Sequence, residues 1–389
     1  MEITHEKACH CALNRIFGFE PKIALALINH FGSATEVFNL SPEELDLLLG
    51  PYSKYRGCIS PGMLDDSYKE LESLRQQGIN FIGWTETGYP TLLKECEDPP
   101  VGLYIRGVSS PDELWGNRRM ISIIGTRDLS PYGKEWCERL ICSLAEAPEK
   151  DRPVIVSGLA LGVDICAHSA ALKNGLPTIG VMATGPDDIY PSRHRGVAET
   201  ICRTSGSALI TDYPPQTAPL AVHFLRRNRI IAGLSEATVL IESKIKGGGM
   251  MTARLADSYN RMVFALPGRV DDTRSQGCNH LIRSKVAIPI ISIQDFLKEL
   301  GVKCNRNSCR TNDTENLDSL YRGSISEDKI VQMGHILLAI RKERGITVED
   351  IANQTGIDYT RVSQLLGMLE TDGIISRDLL QRCFINFCK

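Results

Sequence analysis

The chain has 389 residues, of which 42% are hydrophobic and 23% charged, and its formal net charge at pH 7 is −3. This length predicts more than one domain, and the slightly acidic balance excludes a polycation that coats duplex DNA indiscriminately. The N-terminus lacks an apolar signal core, and no run approaches the roughly 18 apolar residues of a membrane span. We therefore expect a cytoplasmic protein that does not enter membranes and whose nucleic-acid site, if it has one, is local.

The cysteines and histidines give little indication of a metal centre. Thirteen cysteines are scattered through apolar segments, and no C-x-x-C pair occurs. This distribution indicates reduced thiols. The set most similar to a metal site, formed by His5, Cys9, His10 and Cys11, lacks the usual zinc spacing. We predict no metal and no other cofactor.

Residues 1–75 are predicted to form a small helical module. Apolar residues recur at helical spacing over 22–31, and Ser41 followed by proline is a typical helix start. Residues 17–38 resemble part of a helix-hairpin-helix or SAM-like unit. Glu20 stands where such a hairpin would carry a second glycine, which favours packing over direct DNA contact.

The next region, residues 76–302, is predicted to be an α/β domain. Residues 88–107 are rich in proline and turn residues. After them come six short apolar runs, at 120–125, 154–156, 178–182, 208–211, 237–241 and 262–265. Most are followed by a loop and a helical stretch, which predicts a parallel sheet with helices on both faces. Ligands of such sheets bind beyond the carboxyl ends of the strands.

The segment 223–256 is the strongest candidate for a phosphate site. Three arginines, Arg226, Arg227 and Arg229, place positive charge at the start of an apolar helical stretch. An apolar strand follows, and after it come Gly247, Gly248 and Gly249. Because glycine has no side chain, the backbone of this loop can approach a ligand closely. The next helix turns its free N–H groups and positive dipole end toward that loop, and Thr252 adds a hydroxyl. Such glycines also serve simple turns, and arginines often coat surfaces, but the combination favours an anion site.

The C-terminal part is predicted to contain a linker and a small domain. Residues 303–328 are polar and poor in large apolar residues, as linkers are. In residues 329–389, three helical stretches at 330–341, 347–356 and 358–369 and a hairpin at 374–387 resemble a winged helix-turn-helix. Its presumptive recognition helix carries acidic residues, whereas helices that enter the major groove usually have a basic face. This favours a protein-contact or regulatory role.

Motifs in the central region resemble those of a known family. In chain order they read IIGTR (123–127), VSGLALGVDICAH (156–168), YPPQ (213–216), FLRRNRIIAGLS (224–235), GGGMMTARLA (247–256), PGR (267–269) and SQGCNHLIR (275–283). On these motifs, the region from Thr87 to Leu300 closely resembles the DNA-processing protein A family, also called DprA or Smf.

The resemblance implies an extended Rossmann-like domain without catalytic activity. It implies a homodimer that binds single-stranded DNA, protects incoming DNA and helps load RecA recombinase in natural transformation. Arg127 falls on the family's strand-end arginine, and residues 247–252 fall on its phosphate-holding Gly-Ser-x-x-Thr loop. Further candidates for DNA or phosphate binding are Ser157, Gly158, Lys244 and Lys246. The arginines at 226, 227 and 229 are expected to line the groove or to stabilise it internally.

Two positions depart from the family pattern. The family usually has an arginine where this chain has Leu161, so one cation of the groove is missing. The family's Gly-Ser pair is Gly248-Gly249 here, which removes a hydroxyl but keeps backbone N–H donors.

Two other functions compete with single-strand binding. A Rossmann-like nucleotide hydrolase, of the lysine-decarboxylase-like phosphoribohydrolase type, also has a glycine-rich loop and a threonine at a helix start. Its carboxylate follows that threonine by three residues, where this chain has Leu255. The other alternative is a transcription regulator that acts through the winged helix.

Several residues near the candidate loops have a structural interpretation as well as a functional one. Asp164 and His168 lie four apart on a predicted helix, and we favour capping and packing over catalysis. Tyr190, Tyr213 and Phe224 are candidates for base stacking if their rings are exposed.

Overall fold

The computed structural model describes residues 3–50, 52–302, 317, 320–321, 325–343, 345–378 and 380–385. The chain divides into two compact units, one of residues 1–145 and 149–302 and one of residues 146–148 and 303–389. Most of the predicted linker at 303–328 lies outside the described residues, and the expected boundary at residue 75 remains a prediction. No helix in the described part of the chain is long and apolar enough to cross a membrane.

Five helices open the first unit: α1 (His5–Phe17), α2 (Pro21–Phe31), α3 (Ala34–Phe38), α4 (Pro42–Leu49) and α5 (Pro61–Gln76). Ser41 caps α4 as its sequence predicts, since its hydroxyl accepts from the N–H of Glu44. The helices share an apolar core that includes Leu13 and Phe17. Helix α1 also reaches the sheet region, because the Asn14 side chain donates to the carbonyl of Asp212 over 2.8 Å.

The main sheet of the first unit contains nine strands: β1 (Ile79–Gly83), β2 (Gly102–Arg106), β3 (Met120–Ile124), β4 (Val154–Gly158), β5 (Thr178–Val181), β6 (Ala208–Thr211), β7 (Ala237–Leu240), β8 (Met262–Ala265) and β9 (Ile288–Pro289). Their order is β1-β2-β6-β5-β4-β3-β7-β8-β9. Strands β3 to β9 are parallel, whereas β1 and β2 form an antiparallel edge. The six predicted strands are confirmed.

Nine helices of the described first unit follow α5: α6 (Thr91–Lys94), α7 (Pro111–Trp115), α8 (Pro131–Ala145), α9 (Val163–Lys173), α10 (Arg195–Arg203), α11 (Ala221–Leu234), α12 (Gly248–Ser258), α13 (Gln276–Arg283) and α14 (Ile293–Glu299). Helices α8, α9 and α10 pack in sequence on one another, and α11 packs on α12. The strand order reverses between β6 and β7, so right-handed crossovers place these two layers on opposite faces of the sheet.

The second unit is a winged helix-turn-helix, as predicted. It contains α15 (Glu327–Lys342), α16 (Val348–Thr355), α17 (Tyr359–Thr371) and the strands β10 (Ile346–Thr347), β11 (Ile375–Arg377) and β12 (Arg382–Ile385), in the order β10-β12-β11. Thr347 and Asp358 accept hydrogen bonds at the starts of α16 and α17. The last two residues of the predicted hairpin, 386 and 387, lie outside the described residues.

Candidate functional site

A cleft of about 730 Å³ lies beyond the carboxyl ends of β3 and β7. The chain winds from β3 toward β6 on one side of this point and from β7 toward β9 on the other. The loops that leave β3 and β7 therefore diverge, which is where open α/β sheets bind their ligands. The walls are residues 124–128, part of α11, and residues 243, 244, 246–249 and 252.

The loop after β3 is held rigidly in the cleft wall. The N–H of Thr126 donates to the carbonyl of Glu242 over 2.7 Å, and the carbonyl of Thr126 accepts from the N–H of Val163 at the start of α9 over 3.1 Å. The buried Glu242 carboxylate also accepts from the N–H of Ser130, just before α8. The base of Arg127 is thus fixed, while its side chain is exposed.

The loop after β7 ends in the triple glycine, which opens α12. Gly247 is the N-cap residue, and α12 begins at Gly248. The first N–H groups of the helix lack intrahelical acceptors and carry its positive dipole end. Thr252 lies one turn into the helix, lines the cleft and is 2% exposed. Backbone donors and one hydroxyl therefore form one wall of the cleft.

Exposed cations surround these donors. Lys244 and Lys246 line the cleft on the β7 side, and Arg127 lies opposite on the β3 side. Among the described residues, none of the three forms an ion pair with an acidic side chain. Asp128 also lines the cleft, but its carboxylate binds Arg274 over 2.9 Å. The arrangement suits a ligand with negative charge.

The floor of the cleft holds a buried pair of opposite charge. Arg227 and Asp164 both contact Gly158, where even a methyl group would clash with them. Burial raises the pKa of the Asp164 carboxyl, and Arg227 opposes that shift. His168 lies beneath, with Nε2 2.5 Å from the carbonyl oxygen of Gly158, and burial lowers its pKa to about 4. These contacts support a structural role for both residues over catalysis. The predicted capping by Asp164 is wrong, however, because Gly162 is the N-cap residue of α9 and no side chain caps that helix.

The structure separates the three arginines of α11. Only Arg227 reaches the cleft, where its guanidinium donates to the carbonyl of Val181. Arg226 and Arg229 face the buried Asp212, with Nη2 to Oδ2 distances of 3.4 and 2.6 Å. Both arginines are candidate groove residues from the sequence. In the structure their guanidinium groups pair with Asp212 and stabilise the protein internally.

Two other candidate residues are not brought to the cleft surface. Ser157 is fully buried at the end of β4, and its hydroxyl donates to the carbonyl of Ile123 over 2.6 Å. Gly158 is buried beside it and makes room for Arg227. Both residues support the cleft from below rather than line it.

Two aromatic rings border the cleft. Phe224 lies under the Arg127 guanidinium, 5.2 Å from ring centroid to Cζ, and packs edge-on against Tyr190 at 5.7 Å. The Tyr190 side chain is 47% exposed, so its ring is available to a base. Tyr213 is buried under Arg226 and is not available. Sequence reasoning missed Ser243 in the lining; its place in the loop after β7 was the available signal.

We expect the two sides of the cleft to differ in their tolerance of a side chain at glycine. A Cβ on Gly125 would lie 2.5 Å from Cγ2 of Val163 and 2.9 Å from the carbonyl oxygen of Glu242, whereas a Cβ on Gly248 meets nothing within 4 Å. Gly125→Ala should therefore destabilise the first unit by about 1–3 kcal/mol, and Gly248→Ala should not. Urea unfolding of both variants measures this, and equal stabilities would contradict the packing described for the β3 loop.

The fold defines a Rossmann-like protein whose switch point holds a cleft lined by exposed cations and by the start of α12. Comparison with known proteins identifies the family. The family model for DNA recombination-mediator protein A matches residues 80–301, and a winged helix-turn-helix DNA-binding model matches residues 334–376. The chain belongs to the DNA recombination-mediator protein A family, also called DprA or Smf.

Individual relatives agree with this assignment. The chain is 32% identical over 297 residues to protein Smf of Synechocystis, which covers 76% of this chain and 73% of that protein. The X-ray structure of DprA from Streptococcus pneumoniae is 30% identical, with a TM-score of 0.58, and covers 78% of this chain and 100% of that one. A structure of DprA from Helicobacter pylori, which concerns its single-stranded DNA binding mode, is 34% identical with a TM-score of 0.50 over 57% of this chain and 95% of that one.

Proposed function

We propose that the protein binds single-stranded DNA without sequence preference and holds its phosphate backbone in the cleft between β3 and β7. The observation that carries this proposal is the convergence of Arg127, Lys244, Lys246 and the start of α12 on one open cleft. Cations and helix N–H groups bind phosphate whatever the base. The Helicobacter pylori relative, which is described for single-stranded DNA binding, supports the same assignment.

The aromatic rings support single strands over duplex. Bases of a single strand are exposed and stack on protein rings, and such stacking is tolerant of sequence. Tyr190 presents an exposed ring beside the cations. A protein that contacts the phosphate backbone of DNA and stacks rings on its bases can bind any sequence, because neither contact reads the base edges.

A role in recombination follows from the family. We propose that the bound strand is protected and passed to RecA recombinase in natural transformation, and that the protein acts as a homodimer without catalysing a reaction. The homodimer and the RecA contact rest on family membership alone.

The hydrolase alternative lacks a suitable carboxylate among the described residues. Leu255, at the position of that family's acid, packs against the apolar core. Two acidic residues line the cleft. Asp128 forms an ion pair with Arg274, and Asp164 is buried beside Arg227, where both side chains lie against Gly158. We therefore favour binding over nucleotide hydrolysis.

Three arginines of the winged helix that the structure describes already have polar partners. Arg361 donates to Gln332, Arg377 pairs with Glu370, and Arg382 pairs with Asp378. Groove-reading helices need basic and polar groups that are free to reach base edges. We propose a protein-contact or regulatory role for this unit.

Lys246→Ala tests the β7 side of the cleft. An exposed lysine at a phosphate contributes a modest interaction, so affinity for a labelled single-stranded oligonucleotide should fall about two- to fivefold. The slope of log affinity against log salt should decrease by about 0.7, because one phosphate contact is lost.

Lys298→Ala, on the exposed surface of α14 and outside the cleft lining, is the matched control for this variant. Its affinity and salt slope should equal those of the wild type. If a folded Lys246→Ala protein kept both values as well, the phosphate track would not run along the β7 loop.

A further inference from the structure

The segment from Ile189 to Arg195 meets the cleft at Tyr190 and is anchored by two buried residues. Ile189 is buried in an apolar cluster with Leu159. His194 is also buried, and its Nδ1 lies 2.7 Å from the carbonyl oxygen of Leu159, in the loop that follows β4. The two buried residues fix the segment at both ends and leave Tyr190, Arg193 and Arg195 exposed between and beside them.

The two exposed arginines carry charge that the protein does not neutralise. Among the described residues, neither Arg193 nor Arg195 forms an ion pair. Arg203, at the other end of α10, differs because it faces Glu199 at 3.9 Å. Asp187, earlier in the same loop, uses its carboxylate to accept from the N–H of Gln216 at 3.0 Å. Two uncompensated cations therefore lie on an ordered surface.

A series of ring contacts leads from the cleft to the chain segment that carries these two arginines. Arg127 lies over Phe224, Phe224 packs edge-on against Tyr190, and Tyr190 both lines the cleft and precedes the arginines by three and five residues. A strand held by the cleft thus meets one exposed ring and then a second positive cluster. Alternation of cations and rings is the pattern that follows a single strand, whose charge and bases both repeat.

We propose that Arg193 and Arg195 form a second phosphate-binding site, which holds the backbone of the DNA strand where it leaves the cleft past Tyr190. The ligand is a polyanion long enough to span both sites. This inference rests on the function proposed above, because the strand must first occupy the cleft.

The test compares wild type with the double variant Arg193→Ala/Arg195→Ala on oligothymidylates of about 4 and about 16 nucleotides. We expect affinity for the longer strand to fall about tenfold, and its salt slope to decrease by about 1.4, because two phosphate contacts are lost. Affinity for the short strand, which fills the cleft alone, should stay within about twofold of wild type.

Two further variants separate charge from structure. Arg193→Lys/Arg195→Lys keeps both charges and should keep the salt slope, and Arg203→Ala removes an exposed arginine of α10 that already has a partner and should bind as wild type does. If Arg127→Ala weakens binding but the double alanine variant does not, the second site is wrong and the cleft stands. If wild type binds neither oligonucleotide, the proposed function itself fails.

Discussion

Arg127→Ala is expected to lower the affinity for single-stranded DNA about 10- to 150-fold while the protein stays folded. The side chain is exposed in the loop after β3 and lies over the Phe224 ring. Its loss therefore costs little stability but removes the cation opposite the start of α12. A hydrogen bond between charged partners contributes about 1.5–3 kcal/mol, which corresponds to that range of affinity.

Fluorescence anisotropy with a labelled oligonucleotide measures the effect, and circular dichroism checks the fold. Arg127→Lys should give an intermediate affinity, because lysine keeps the charge but cannot bind phosphate with two parallel hydrogen bonds. Arg283→Ala, an exposed arginine of α13 outside the cleft lining, is the control and should bind normally. A folded Arg127→Ala protein with wild-type affinity would show that phosphate does not lie on the β3 side.

Asp212→Ala is expected to destabilise the first unit by about 3–5 kcal/mol. Asp212 is 3% exposed, and its Oδ2 lies 2.6 Å from Nη2 of Arg229, which is itself buried. Removing the carboxylate takes away the ion-pair partner of that buried guanidinium, which keeps its hydrogen bond to the carbonyl of Asp98. A buried charge without its counter-charge is strongly destabilising. Arg226 would lose the same partner but is less buried.

Urea unfolding followed by tryptophan fluorescence measures the free energy of unfolding of the first unit, since all three tryptophans lie within residues 84–136. The double variant Asp212→Ala/Arg229→Met should recover part of the stability, because the unpaired cation is gone. Asp257→Ala, at an exposed position of α12, should change stability by less than about 0.5 kcal/mol. Equal stability of the wild type and Asp212→Ala would contradict the internal role of the α11 arginines.

The sequence predicted the parallel core of the sheet well because its strands are buried on both faces. Such strands read as continuous apolar runs, and all six were found by that signal. Strands β1, β2 and β9 were not predicted. Proline and turn residues surround β2, and it pairs antiparallel with β1 and with β6, which lies far away along the chain. Pairing of this kind depends on contacts that no local pattern contains.

The candidate site shows a similar limit. In a helix, residues three or four apart share a face. This rule groups Arg226 with Arg229 and places Phe224 with Arg227, as the structure does. It cannot say which face meets the cleft, because that depends on Asp212, a residue from the end of β6. Glycine loops and strand ends located the cleft, whereas the assignment of individual arginines required the fold.

The most direct test of single-strand binding compares a labelled single-stranded oligonucleotide with its matched duplex across a salt series, using the full chain. The account predicts tighter binding of the single strand and a linear fall of log affinity with log salt, as phosphate contacts release counterions. Equal or tighter binding of the duplex, or no binding of either, would contradict it.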